Sequence, residues 1–127
     1  DLPVVEKTIG TEQIARYAKA SGDHNPIHLN AEFAATSQFG GIVAHGMLTL
    51  AFVAESLSLA FGRDWIESGK LKVRLKAPAY PGDTVRSWGH VLKEGTSDGR
   101  RSLECAVGLK NGKGEELISG VATVTLS

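Results

Sequence analysis

The stretch that decides the fold runs from His45 to Phe61 and reads His-Gly-Met-Leu-Thr-Leu-Ala-Phe-Val-Ala-Glu-Ser-Leu-Ser-Leu-Ala-Phe. Drawn as a helix, it carries apolar side chains on nearly every face and is about 25 Å long at 1.5 Å per residue. A helix that is apolar nearly all round is typical of the protein interior. We therefore predict a central buried helix that ends before Gly62.

The second half of the chain changes to the period of two that is typical of strands. Apolar and basic residues alternate from Leu71 to Lys76, and three later segments also have strand-like patterns. A weak strand is expected within residues 1–10. One long helix with about five mostly antiparallel strands predicts an α+β protein, with the sheet curled around the helix. The three later strands are predicted at Val85–Leu92, Leu103–Leu109 and Leu117–Leu126.

The segment before the long helix contains two shorter predicted helices. Thr11 is expected to cap the first, which ends at Gly22, and Asn30 is expected to cap the second, over Ala31–Ala35. Residues 22–30 read Gly-Asp-His-Asn-Pro-Ile-His-Leu-Asn and are rich in turn formers, so we predict a loop there. Because proline fixes its own φ and keeps the preceding residue extended, this loop should be stiff.

Length and composition limit the possible classes of protein. With 127 residues we expect one domain, spanning residues 1–127. Fourteen basic and 14 acidic side chains cancel, which argues against nucleic-acid binding. No segment has the roughly 20 apolar residues needed to span a bilayer. The single cysteine, Cys105, is typical of a reducing compartment, so we expect a cytoplasmic protein. The chain begins at Asp1 rather than Met, which is consistent with a trimmed chain or with one domain of a longer protein.

Asp23 and His28 are the first candidates for chemistry, five positions apart on the predicted stiff loop. A carboxylate beside an imidazole can hold one water molecule and exchange protons with it near neutral pH. The two residues could equally serve as a turn cap and a surface histidine. The spacing alone leaves both interpretations open.

The second candidate is His45-Gly46-Met47, at the start of the long helix. Free N–H groups at a helix N-terminus favour negative charge, and glycine allows a ligand to approach the backbone closely. This could be an oxyanion site for a polarised carbonyl. Alternatively, Gly46 only permits a tight turn and His45 caps the helix.

Other residues give weaker signals. Lys72, Arg74 and Lys76 share one face of a predicted strand and could contact a negatively charged ligand, although a solvated strand face explains them as well. Phe33 and Phe39 are candidates for the walls of an apolar pocket. We expect no metal and no organic cofactor, because the four histidines lack the spacing of a zinc site and Cys105 is isolated. These histidines are His24, His28, His45 and His90.

Three segments together resemble the MaoC-like, R-specific enoyl-CoA hydratases. The family signature is a Gly-Asp-x-Asn-Pro-x-His block followed by His-Gly-Met at the start of the long helix. The segments Tyr17–Asn30 and Ile42–Leu48 contain both elements in the right order, and Lys76–Asp83 resembles the family's strand and turn after the helix. The resemblance covers residues 14–86 well, whereas the C-terminal strands match in pattern only.

The resemblance implies a hotdog fold, in which a curved antiparallel sheet wraps one helix. It also implies a hydro-lyase that reversibly adds water to trans-2-enoyl thioesters of coenzyme A or acyl carrier protein, giving (R)-3-hydroxyacyl thioesters. A hotdog acyl-thioesterase and a non-catalytic subunit of a heterodimeric dehydratase remain as alternatives. A homodimer is expected, because a sheet of about five strands leaves an edge that hotdog units normally pair.

The resemblance also assigns roles to individual residues. Asp23 and His28 correspond to the catalytic pair, and the Gly46 N–H corresponds to the oxyanion donor. Asn25 corresponds to a residue that orders the loop near the catalytic pair. Separately from the resemblance, His45, next to Gly46, is expected to support the site. No metal is implied, because conjugation to the thioester already makes the β-carbon electrophilic.

Overall fold

A computed structural model describes residues 1–127, which form five helices and five strands. The predicted α+β class is confirmed. No helix is long and apolar enough to cross a membrane. The helices are α1 (Thr11–Ser21), α2 (Pro26–Leu29), α3 (Ala31–Ala35), α4 (Gly46–Phe61) and α5 (Arg63–Ser68). The strands are β1 (Glu6–Thr8), β2 (Lys70–Leu75), β3 (Thr84–Ser97), β4 (Arg100–Asn111) and β5 (Glu116–Thr125).

The five strands form one antiparallel sheet in the order β1-β3-β4-β5-β2. Helix α4 packs on β3 and β4, at the centre of the sheet. Alternate residues of the strands point to this side, which gives a single apolar core with α4. Strands β1 and β2 are the two edges, and β2 follows the helices directly. The chain thus returns from α4 through α5 to the edge strand β2, whose last residue, Leu75, lies beside Gly46 at the N-terminus of α4.

Helix α4 is buried on one side only, which corrects the prediction that it is enclosed all round. Phe52, Val53 and Leu57 are buried against the sheet. Met47 and Leu59 are 61% and 62% exposed on the other side. An apolar pattern on both sides therefore does not show that both sides are buried within one chain: one face packs on the sheet, and the apolar residues of the other face are exposed.

The β3–β4 hairpin is longer than predicted, since β3 continues from Leu92 to Ser97. Asp98 and Gly99 have φ angles of 51° and 77° and form the two-residue turn that suits a twisted hairpin. Residues 91–101 are all exposed, so both faces of this extension are solvated. The apolar–polar alternation on which the strand prediction relied is therefore absent there. Helix α5 was also not predicted.

The segment 22–30 is not wholly a loop, because Pro26–Leu29 forms the short helix α2. Proline at the first helical position has a φ that suits a helix and no N–H that needs a partner. The Asn25 side chain accepts a hydrogen bond from the Ile27 N–H at 3.1 Å and caps the helix. The residues that indicated a turn are those that start this helix.

Two of the three predicted ends of the neighbouring helices are confirmed, at Gly22 and Asn30. Gly22 ends α1 in the left-handed conformation, with φ of 79°. The Asn30 side chain caps α3 by accepting a hydrogen bond from the Phe33 N–H at 3.0 Å. The N-cap of α1 is Gly10 rather than Thr11, and no side chain caps this end.

Candidate active site

His28 lies on α2 and is buried, with 9% of its surface exposed. Its Nδ1 is 2.7 Å from the carbonyl oxygen of Val43. A carbonyl oxygen can only accept a hydrogen bond, so Nδ1 carries the hydrogen. In the neutral ring the lone pair is then on Nε2, which is the ring atom available for proton transfer.

Asp23 lies between α1 and α2 and is exposed in the single chain. Its Oδ1 accepts a hydrogen bond from the Asn25 N–H at 3.3 Å. One carboxylate oxygen of Asp23, one ring nitrogen of His28 and one of His45 all lie within 4.8 Å of one another. A single water molecule can bridge polar groups at such a separation. The structure therefore brings the predicted pair together.

Asn25 connects the two members of this pair. Its main-chain N–H binds the Asp23 carboxylate, while its side chain caps the helix that carries His28. Asn25 thus orients the Asp23 carboxylate directly and the His28 imidazole through the helix that carries it. This geometry fits the supporting role that was expected of Asn25.

His45 is the N-cap residue of α4, but its side chain makes no capping hydrogen bond, so the interpretation of His45 as a helix cap is wrong. The ring is buried, and its Nε2 is 2.9 Å from the main-chain carbonyl oxygen of Asp23. The ring also stacks on His28, with 3.8 Å between centroids and 25° between planes. His45 therefore contacts both members of the pair.

Gly46 is the first residue of α4, and neither its N–H nor that of Met47 has a main-chain acceptor. These N–H groups are the positive end of the helix dipole. A Cβ atom on Gly46 would lie 2.8 Å from Cδ1 of Leu75, at the end of β2. Glycine therefore leaves room here for the Leu75 side chain, which would have to move to accept a larger residue.

A groove of about 290 Å³ contains both His28 and Gly46. Its walls are mostly apolar, which suits an acyl chain. Larger depressions of about 380 and 350 Å³ lie elsewhere, but they are lined mostly by polar residues and contain no histidine. The other lining residues of the groove are Ile27, Phe39, Val43, Ala44, Leu75, Lys76, Ala77 and Pro78.

Of the three basic residues singled out in the sequence, only Lys76 lines the groove. Its Nζ is 2.8 Å from Oε2 of Glu116. Lys72 and Arg74 are exposed on β2, outside the lining of the groove. Of the two candidate phenylalanines, Phe39 lines the groove and Phe33 does not.

Asp23, His28 and His45 are near enough to one another to be considered as a metal site. The ring stacking disfavours it. The two rings lie in nearly parallel planes with 3.8 Å between centroids, so one ion cannot lie in the plane of both rings, where the nitrogen lone pairs are. The arrangement suits proton transfer through water better than coordination.

Cys105 is buried in the core, and burial raises the pKa of its thiol. A protonated thiol is a poor nucleophile, and Cys105 is not among the residues that line the groove. Covalent chemistry through cysteine is therefore disfavoured at this site.

Sequence reasoning missed two contacts of the site. The main-chain carbonyl group of Val43 orients His28, and no sequence signal marks a main-chain acceptor. The Tyr17 ring lies 4.8 Å from the ring of His45, centroid to centroid, at an angle of 57°. Tyr17 stands within the segment that carries the family resemblance, which was a usable signal.

A sheet wrapped on one long helix, with an acid–imidazole pair at the helix N-terminus, defines this chain as a hotdog-fold protein. Residues 2–112 match the family described as MaoC like domain, and the chain belongs to this family. The predicted fold and the predicted family are thereby confirmed.

Curated relatives and solved structures agree with this assignment. The chain is 37% identical over 89 residues to 3-hydroxyacyl-thioester dehydratase Z of Mycobacterium tuberculosis, covering 63% of this chain and 56% of that protein. It is 35% identical over 79 residues to (R)-specific enoyl-CoA hydratase of Rhodospirillum rubrum, with coverages of 62% and 55%. It superposes on unliganded R-hydratase PhaJ1 of Pseudomonas aeruginosa with a TM-score of 0.83 at 25% identity, covering 99% of this chain and 79% of that one. The chain spans about half the length of these curated relatives.

Proposed function

We propose that this chain reversibly hydrates trans-2-enoyl thioesters of coenzyme A or acyl carrier protein to (R)-3-hydroxyacyl thioesters. The observation that carries the proposal is the Asp23 carboxylate within 4.8 Å of the His28 imidazole, which lines one groove together with Gly46. The relatives, a 3-hydroxyacyl-thioester dehydratase and an (R)-specific enoyl-CoA hydratase, support the same reaction.

In the proposed reaction, Asp23 and His28 hold one water molecule between them. The water oxygen forms a bond to the β-carbon of the enoyl thioester as one O–H bond breaks. The two side chains accept that proton and deliver a proton to the α-carbon, so the site is restored after each turnover. Since Nδ1 of His28 is bound to Val43, Nε2 is the ring atom that takes part.

Negative charge develops on the thioester oxygen when water adds. The Gly46 N–H at the start of α4 is proposed to stabilise this charge, because helix N-terminal N–H groups are fixed donors that need no reorganisation. Lys76 is the only basic side chain lining the groove, and we propose that it contacts the phosphate groups of the substrate carrier.

Hydratase and thioesterase activities differ in the carbon that water attacks. With purified protein and crotonyl-CoA, a hydratase removes the enoyl-thioester absorbance without releasing thiol. A thioesterase releases free coenzyme A, which a thiol reagent detects. Absorbance loss without thiol release is the expected result, and thiol release at the same rate would contradict it. His24→Gln, an exposed neighbour of Asp23, is the matched control and should behave like the wild type.

We also propose that two copies pair. Strand β2 has a partner strand on one side only. The apolar side chains of Met47 and Leu59 on α4 and of Leu75 on β2 are exposed in the single chain. Sedimentation of the purified, active chain tests this, and an active monomer at micromolar concentration would contradict it. A non-catalytic subunit would be inactive alone and gain activity only with a different partner chain.

Three further expectations belong to this proposal. Residues 1–127 act as one hotdog unit. Limited proteolysis tests this, and we expect no stable smaller fragment. The reaction needs no metal or organic cofactor, so activity should survive extensive chelation, and recovery of lost activity by zinc would contradict this. A cytoplasmic location stays a prediction, to be tested by cell fractionation.

A further inference from the structure

His45 binds the two parts of the site in two different ways. Its Nε2 is 2.9 Å from the main-chain carbonyl oxygen of Asp23, and its ring face lies on the ring of His28. The His45 ring also contacts the Tyr17 ring of α1, with 4.8 Å between centroids. His45 therefore joins the loop that carries the carboxylate to the helix that carries the imidazole.

The hydrogen bonds of the two stacked rings assign them opposite tautomers. His28 donates from Nδ1 to Val43, and His45 donates from Nε2 to Asp23, because carbonyl oxygens only accept. His45 is only 2% exposed, and its buried Nδ1 has no hydrogen-bond partner. A bare buried lone pair costs free energy, so packing alone does not explain a histidine here.

We propose that His45 is a positioning residue for the hydration reaction. It keeps the Asp23 carboxylate and the His28 ring within 4.8 Å of each other, so that one water molecule can bridge them. The Nε2–H of His45 fixes the main chain of Asp23, and its ring fixes the plane of His28. This inference rests on the proposed function of the site. His45 does not need to contact substrate to act in this way.

The tautomers can be measured without any activity. Long-range proton–nitrogen correlation of the histidine rings by NMR, on the wild-type protein, should find the hydrogen on Nε2 of His45 and on Nδ1 of His28. The same tautomer in both rings, or a hydrogen on Nδ1 of His45, would overturn the inference. If these tautomers are found but no enoyl thioester is hydrated, the proposed function fails while the arrangement of the rings stands.

Two variants separate the hydrogen bond from the packing of the ring. His45→Phe keeps a ring to stack on His28 but has no donor for Asp23. His45→Gln loses the ring, and its amide can still donate at the position of Nε2. Since a misplacement of about 1 Å can cost about 100-fold in rate, we expect kcat of His45→Phe to fall about 10- to 100-fold, with KM for crotonyl-CoA nearly unchanged.

His45→Gln should retain clearly more kcat than His45→Phe, because it restores the bond to the Asp23 loop. The amide resonances of Asp23 and Asn25 should shift in His45→Phe and remain near their wild-type positions in His45→Gln. A purely structural role would instead lower thermal stability and active-protein yield in both variants while leaving kcat per folded molecule unchanged. That result, or a His45→Phe enzyme with full kcat, contradicts the proposal. If a variant does not fold, the wild-type tautomers still test the hydrogen bond to Asp23 on which the proposal depends, and a hydrogen on Nδ1 of His45 overturns it.

Discussion

Replacing Gly46 by alanine tests the contact between the helix N-terminus and the edge strand. The added Cβ would lie 2.8 Å from Cδ1 of Leu75, closer than van der Waals contact allows. Leu75 is 51% exposed, so its side chain can move outward at a cost of about 1 kcal/mol. Alanine gains up to about 1 kcal/mol in helix propensity over glycine. The two terms nearly cancel, so the free energy of unfolding should change little.

Activity should respond much more strongly than stability. Leu75 lines the groove, and the new methyl group stands beside the N–H that is proposed to bind the thioester oxygen. Loss of a single oxyanion donor costs about 10²–10³ in kcat, so a partly obstructed donor should cost at least about tenfold. The assay is the initial rate of crotonyl-CoA hydration, alongside thermal unfolding. Gly46→Ala with Leu75→Ala should recover part of the rate by removing the collision. A folded Gly46→Ala enzyme with the wild-type rate would refute this reasoning.

Three other perturbations have defined outcomes. Lys76→Ala should raise KM for crotonyl-CoA several-fold at unchanged kcat, measured by steady-state kinetics. Lys72→Ala, which lies outside the groove, should change neither constant. If both variants raise KM equally, Lys76 has no special role in binding. Leu57→Ala, fully buried between α4 and the sheet, should lower the free energy of unfolding in urea by about 2–5 kcal/mol. An exposed counterpart, Leu59→Ala, should cost much less in the monomer, and a large cost would indicate that a partner covers it.

Much of the fold could be predicted because the core imposes a period on the sequence. The central parts of β3, β4 and β5 each bury one face, so their apolar residues recur at regular spacing, whereas α4 was predicted from a long, almost uninterrupted apolar stretch. The predictions fail where no face is buried, as at the solvated end of the β3–β4 hairpin. They also fail at α2, where proline and asparagine indicate both a turn and the start of a helix.

The site was predictable to the level of residue types but not of contacts. The family resemblance, rather than the spacing alone, marked Asp23 and His28 as a pair, and the structure brings them within 4.8 Å of each other. The contacts that orient them come from main-chain carbonyl groups and from a stacked ring, over sequence separations of 15 and 22 residues. Such contacts depend on how α4 meets the α1–α2 segment, and a linear pattern does not contain that information. For the same reason, His45 was assigned no specific contact in advance.

Burial of His28 also changes what a substitution there should do. A residue on a loop, as predicted for His28, is usually replaceable without loss of folding, but His28 is buried and bonded to Val43. Loss of this hydrogen bond should cost about 1 kcal/mol of stability, so folding of each variant must be checked before activities are compared.

The most direct test of the account is the rate of crotonyl-CoA hydration by Asp23→Asn, His28→Gln and the double variant, with His24→Gln as the control. Each single change should lower kcat/KM at least about 100-fold, because each removes a group that transfers a proton. The double variant should be little worse than either single one, since the two residues act as a unit. His24→Gln should keep the wild-type rate. A folded His28→Gln enzyme that retains most of its activity, or a His24→Gln enzyme that loses it, would contradict the account.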